Sequence, residues 1–133
     1  ACPPQCKCLG HTLICNHLNW SVFRNLSESI LAFTSRHTNG KLDNTAFLLM
    51  ARLISLTLTH GLIKSLPSGA NSLFKNQGRL LYLDLSYNQI ESLPQNGFYG
   101  LTVLKSINLT NNPLLNIGRG FISDSNRLTS LSL

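Results

Sequence analysis

Leu80-Leu81-Tyr82-Leu83-Asp84-Leu85-Ser86-Tyr87-Asn88-Gln89-Ile90-Glu91-Ser92-Leu93-Pro94 is one full copy of a unit that recurs through the chain. Leu83-x-Leu85 has the period of a strand, so both leucines point to one face while Asp84 points to the other. Leu80 leads the strand, Asn88 holds the ninth position, and Ile90, Leu93 and Pro94 follow on the common line L-x-x-L-x-L-x-x-N-x-I-x-x-L-P. The same line begins at Leu53 with Leu56 and Leu58, at Leu104 with Ile107 and Leu109, and at Leu128 with Leu131 and Leu133. Leu56 to Leu83 spans 27 residues, and the next two intervals, Leu83 to Ile107 and Ile107 to Leu131, are 24 each.

One such strand cannot bury its leucines alone. Stacked copies join them into a continuous core under a parallel sheet. The ninth-position asparagine turns the chain out of the strand, its amide satisfying backbone groups of the turn; Gly61 stands there in the first clear copy. Phe47, Phe74, Phe98 and Phe121 each precede the next copy's first leucine by six or seven residues and are expected to pack the convex side. That side has about ten residues per unit for irregular or short helical structure. Between Cys15 and Leu53 the pattern is degraded. Aligning Leu31 and Phe33 with Leu56 and Leu58 puts Glu28 in the leading position and Arg36 in the ninth. Leu42 with Phe47 fits the back of that irregular unit, and Thr38-Asn39-Gly40 marks a turn inside it.

Upstream, four cysteines fall within fifteen residues, as Cys2, Cys6, Cys8 and Cys15. An even count in a short repeat-bearing chain implies disulfides, and the three pairings are not distinguished by spacing. A zinc site of Cys6, Cys8 and Cys15 with His11 or His17 lacks the usual two-pair spacing. The bridges are expected to close the hydrophobic end of the stack.

Cys2-Pro3-Pro4-Gln5-Cys6-Lys7-Cys8, with Leu13-Ile14-Cys15 after it, resembles the N-terminal flanking cap of extracellular leucine-rich-repeat proteins, a superfamily of receptors, adhesion molecules and matrix proteoglycans. The resemblance covers nearly the whole chain. It implies pairing of Cys2 with Cys8 and of Cys6 with Cys15. It also implies an α/β solenoid: a curved horseshoe with a parallel concave sheet, an irregular convex side and a disulfide-bonded cap. Residues 1–27 would form the cap and residues 28–133 about four repeats, the first irregular and the last truncated. Gly61, the irregular first repeat and the absence of C-terminal cap cysteines depart from the pattern. A chain starting at Ala1-Cys2-Pro3-Pro4 without a signal peptide and stopping in mid-strand at Leu133 reads as a segment of a longer, processed ectodomain.

The bulk numbers agree with one domain. Hydrophobic residues make up 43%, but charged residues only 12%, about half the globular norm. The 11 basic and 5 acidic residues give a net charge of +6, and the basic ones never cluster in sequence as a nucleic-acid or heparin stripe would. No apolar run is long enough to span a membrane.

Catalysis finds no support. Serines and histidines fall in repeat-variable positions, the acidic residues form no pair, and Gly118-x-Gly120 lacks the third glycine of a phosphate loop. No cofactor and no metal site are expected. Asn19-Trp20-Ser21, Asn25-Leu26-Ser27 and Asn108-Leu109-Thr110 are N-glycosylation sequons.

The variable strand positions Ser55, Thr57, Thr59, His60, Tyr82, Asp84, Ser86, Tyr87, Ser106, Asn108, Thr110 and Asn111 should line one concave surface. Tyr82 and Tyr87 are the best anchors, since a phenol offers large contact area at low entropy cost; His60 could sense pH. The resemblance implies non-catalytic recognition of a protein ligand or co-receptor by a cell-surface ectodomain bearing N-linked glycans, with a homodimer as another partnership. It implies neither nucleic acid nor membrane contact by this segment. The alternative is a secreted matrix component that organises matrix or growth factors. A segment of about 20 apolar residues downstream would distinguish the receptor.

Overall fold

The computed structural model describes residues 2–19, 29–38, 47 and 50–133. Its centre is a seven-stranded sheet built from β1 (Cys6–Leu9), β2 (Thr12–Asn16), β3 (Ala32–Arg36), β4 (Ser55–Thr59), β5 (Tyr82–Asp84), β7 (Ser106–Asn108) and β9 (Ser130–Ser132) in that order. β1 and β2 form an antiparallel hairpin, and every later pairing is parallel. Two short strands, β6 (Ser92–Leu93) and β8 (Asn116–Ile117), pair behind it.

The repeat pattern decides this topology. Leu13, Phe33, Leu56, Leu83 and Ile107 lie in register across five strands, all buried. Ile30, Leu53, Leu80 and Leu104 are also buried in the leading position of successive units. No unit closes a core by itself; each apolar row is completed by its neighbours. Phe47, Phe74 and Phe98 form the buried spine of the convex side, with ring centroids 6.1 Å apart at both steps, and Phe121 extends it edge-on at 6.3 Å. The convex side is irregular as expected. Among the described residues its helical content is one 3-10 turn, Gly69–Asn71, so the expected solenoid is a parallel-sheet stack with almost no helix. Among them, too, no helix is long and apolar enough to cross a membrane.

Cys2 is bonded to Cys8 and Cys6 to Cys15, the pairing implied by the resemblance. All four thiols are thereby consumed, which removes the ligands of the zinc alternative. Cys6 and Cys15 face each other across the hairpin, so that bridge staples the first two strands at the end of the core.

The irregular repeat has a different register from the expected one. Phe33, not Leu31, lies opposite Leu56, and Ser35 lies opposite Leu58. Ile30 therefore takes the leading position in place of Glu28, and Thr38 takes the ninth in place of Arg36. Ser35 is fully buried in a row otherwise held by Cys15, Leu58, Leu85 and Leu109, and its hydroxyl is paired with that of Thr38. A polar group in the core costs little when its hydrogen bond is made. The turn residues Asn39 and Gly40, Leu42, the 27/28 boundary and Asn25 lie outside the described residues.

Asn88 shows how the units are tied together. Its Nδ2 donates to Leu58 O in the preceding unit at 2.8 Å and to Leu85 O in its own at 2.9 Å. Asn112 repeats this on Leu85 O at 3.0 Å and Leu109 O at 2.9 Å. At Gly61 the asparagine is missing, and a Cβ there would stand 2.8 Å from Asn88 Oδ1. The glycine leaves room for its neighbour's carboxamide.

Candidate functional site

Three rows of outward-facing residues cross the sheet. The first joins Leu9, Thr12, Ala32, Ser55, Tyr82, Ser106 and Ser130, and the second joins Lys7, Ile14, Thr34, Thr57, Asp84, Asn108 and Ser132. The third, nearer the turn, holds Asn16, Arg36 and Thr59, with Ser86 and Thr110 at the same place in later units. Ser55, Thr57, Tyr82, Asp84, Ser106 and Asn108 therefore meet as expected. They line an open hollow of about 230 Å³ floored by Leu56 and Leu83.

The third row departs from expectation. Thr59 is 8% exposed and Ser86 5%, so neither offers a usable side chain at the surface, although both face outward by alternation. Thr110 remains half-buried and Asn111 exposed.

Two side chains of the hollow are fixed by their own turns. Asp84 Oδ1 accepts the Ser86 N–H at 2.9 Å. Asn108 Oδ1 accepts the Thr110 N–H at 3.0 Å and the Thr110 hydroxyl at 2.8 Å. This is the local Asx hydrogen bond that short polar side chains make two residues on. It leaves Asp84 Oδ2 as an acceptor and Asn108 Nδ2 as a donor for a ligand, both positioned before it arrives. Asn108 Nδ2 is also the atom a glycan would occupy in its sequon. Asn19 of the first sequon is exposed.

Tyr82 and Tyr87, nominated together, are separated by the fold. Each is about half exposed, at 48% and 50%. Tyr82 belongs to the hollow, whereas Tyr87 sits one position beyond the third row, where the chain leaves the sheet. Its φ is 58°, and His17, His37, His60 and Asn111 hold the same position at 58°, 56°, 55° and 60°. Their rings form a ladder. His17 and His37 stack at 5.0 Å, His37 and His60 lie at 5.6 Å, and His60 and Tyr87 stack at 4.6 Å.

His17 and His37 were not among the expected site residues, and neither were Lys7 and Arg36. The fold gathers the last two around a second hollow at the cap end, with Gln5, Ile14, Asn16 and Thr34. The concave face is thus cationic toward the cap and carries a carboxylate at its centre.

Residues 51–114 match the leucine rich repeat family model. No curated protein matches the chain. The matched span ends within the unit that begins at Leu104, and the stacking continues the same geometry beyond it in both directions, through β3 on one side and β9 on the other. The chain is a leucine-rich-repeat protein, a scaffold for protein–protein interaction, with two disulfides stapling its N-terminal strands.

Proposed function

We propose that the chain is the recognition module of an extracellular receptor or adhesion protein and binds a protein ligand through its concave face, without catalysis. The observation that carries this reading is the central hollow. It gathers a phenol, three hydroxyls, a carboxylate and an amide from three strands, with Tyr82 half exposed at its edge. A rigid sheet presenting one large aromatic among pre-positioned polar groups is the composition of a protein-binding hot spot. The two disulfides support an oxidising compartment, and the sequons agree with it.

The test is a screen of immobilised extracellular proteins with the multimerised chain, followed by Tyr82→Ala on each hit. Substitution at a hot spot should weaken binding by about 1–2 kcal/mol or more, at least fivefold to thirtyfold in Kd. A verified ligand that binds Tyr82→Ala and Asp84→Ala as tightly as the unaltered chain would remove the concave hollow from the reading.

A further inference from the structure

The ring ladder lies along the lateral margin of the sheet, outside the central hollow. Each rung is an αL residue, and such a backbone is costly for L-residues other than glycine, with asparagine, aspartate and histidine tolerated best. Glycine would relieve every rung, yet the described units carry His17, His37, His60, Tyr87 and Asn111. Backbone bonds hold the ladder in place: His17 N–H donates to Arg36 O at 2.9 Å, His37 N–H to Thr59 O at 3.2 Å, and Tyr87 N–H to Thr110 O at 3.1 Å. The spacing of the rings is therefore set by the sheet.

Histidine is the side chain that ordinarily changes charge between pH 5 and 8. His17 and His37 are exposed, and His60 is half-buried. Arg36 precedes His37 at the end of β3 and shares the cap-end hollow with Lys7, Asp84 lies in the central hollow, and the Tyr87 ring stacks on His60. Asp84 already accepts from Ser86 N–H within the central hollow. Among the described residues no other carboxylate occurs before Glu91. Protonated rings would set like charges side by side next to Arg36, with Asp84 in the central hollow as the nearest carboxylate in sequence among the described residues. An external carboxylate is the group that satisfies this arrangement.

We propose that the His17–His37–His60 ladder, with Arg36 and Lys7, is a docking edge for a carboxylate-rich segment of a protein partner, and that mild acid tightens it. The proposal takes from the preceding section only that the partner is a protein, and it uses a different surface.

The probe is a fluorescein-labelled octaglutamate peptide, titrated with the intact, oxidised chain at pH 7.5 and 5.5 and constant ionic strength. Glutamate stays largely ionised at both values. The expected result is a Kd about tenfold lower at pH 5.5, as exposed ion pairs of modest individual strength add. The double variant His17→Asn/His37→Asn keeps a residue suited to the left-handed turn, as Asn111 shows in the same position. It should retain its circular dichroism spectrum and cut the pH response below twofold. Arg36→Gln should weaken binding at both values. An unaltered chain with equal Kd at both pH values, or no binding at either, overturns the proposal. So does a double variant that keeps the full response, or a marked preference for a heparin oligosaccharide over the peptide. Peptide binding without pH response removes the ladder and leaves protein recognition standing, whereas failure of the Tyr82→Ala test leaves the ladder untouched.

Discussion

Asn88→Ala tests whether side-chain amides, rather than leucine burial alone, lock one repeat to the next. Asn88 is 7% exposed, so water cannot readily replace its bonds. Its two close acceptors are Leu58 O at 2.8 Å and Leu85 O at 2.9 Å, with Ser86 O more distant at 3.3 Å. Leu85 O also accepts from Asn112 Nδ2 at 3.0 Å and so keeps a partner after truncation. That bond contributes about 1 kcal/mol net, and stranding the Leu58 carbonyl costs about 1–3 kcal/mol, for a total of about 2–4 kcal/mol. The isostere Asn88→Asp should lose more, because it turns a donor into a carboxylate facing the same carbonyl oxygens. Urea unfolding at neutral pH, followed by far-UV circular dichroism with the disulfides intact, measures both changes. A loss below about 0.5 kcal/mol for Asn88→Ala, or an Asp variant as stable as the unaltered chain, would refute the reasoning.

Gly61→Ala should cost about 1–3 kcal/mol, since its Cβ meets a carboxamide that three hydrogen bonds hold still; in an Asn88→Ala background the cost should fall by at least about 0.5 kcal/mol, a coupling that a double-mutant cycle reads directly. Leu83→Ala, in the middle of the core row, should destabilise by about 2–5 kcal/mol in the same melts, and no loss would contradict the strand register. When the chain is secreted from eukaryotic cells, peptide mass spectrometry of Asn108 decides how much of the hollow is open: a bare amide leaves it to the ligand, and a glycan would move recognition toward its flank. An occupied site sits in the central hollow, so Asn108→Gln should leave ligand affinity unchanged or raise it; a marked loss would make the asparagine itself a contact.

The regular units were legible because the spacing of their leucines repeats the order of the stack. From Leu53 onward each strand, turn asparagine and convex phenylalanine fell where the pattern placed it. The irregular unit was misread by two residues, and the reason is physical. A slip of one residue turns every side chain to the opposite face, but a slip of two preserves the faces. Alternation therefore could not decide between Leu31 and Phe33 as the partner of Leu56, and the buried Ser35 hid the true match. The slip also concealed the ladder, because only the observed register sets His37 beside His60. Alternation gives direction and not depth, which is why Thr59 and Ser86 were expected at the surface. Lys7 and Arg36 are far apart in sequence, and only the cap hairpin brings them to one hollow.

The phenylalanine spine has a consequence for the shape of the binding face. Its rings advance 6.1 Å from one unit to the next, whereas neighbouring strands of a sheet lie about 4.8 Å apart. Rings this far apart take more room at the back of each unit than the strand spacing takes at the front, which favours a stack that bends like a row of wedges. The sheet becomes concave because of side chains that no ligand touches. Replacing Phe74 or Phe98 with a slimmer aliphatic residue would thin the wedge, flatten the arc and spread Ser55, Tyr82 and Ser106 apart. Affinity for a curved partner could then change without any substitution in the surface it contacts.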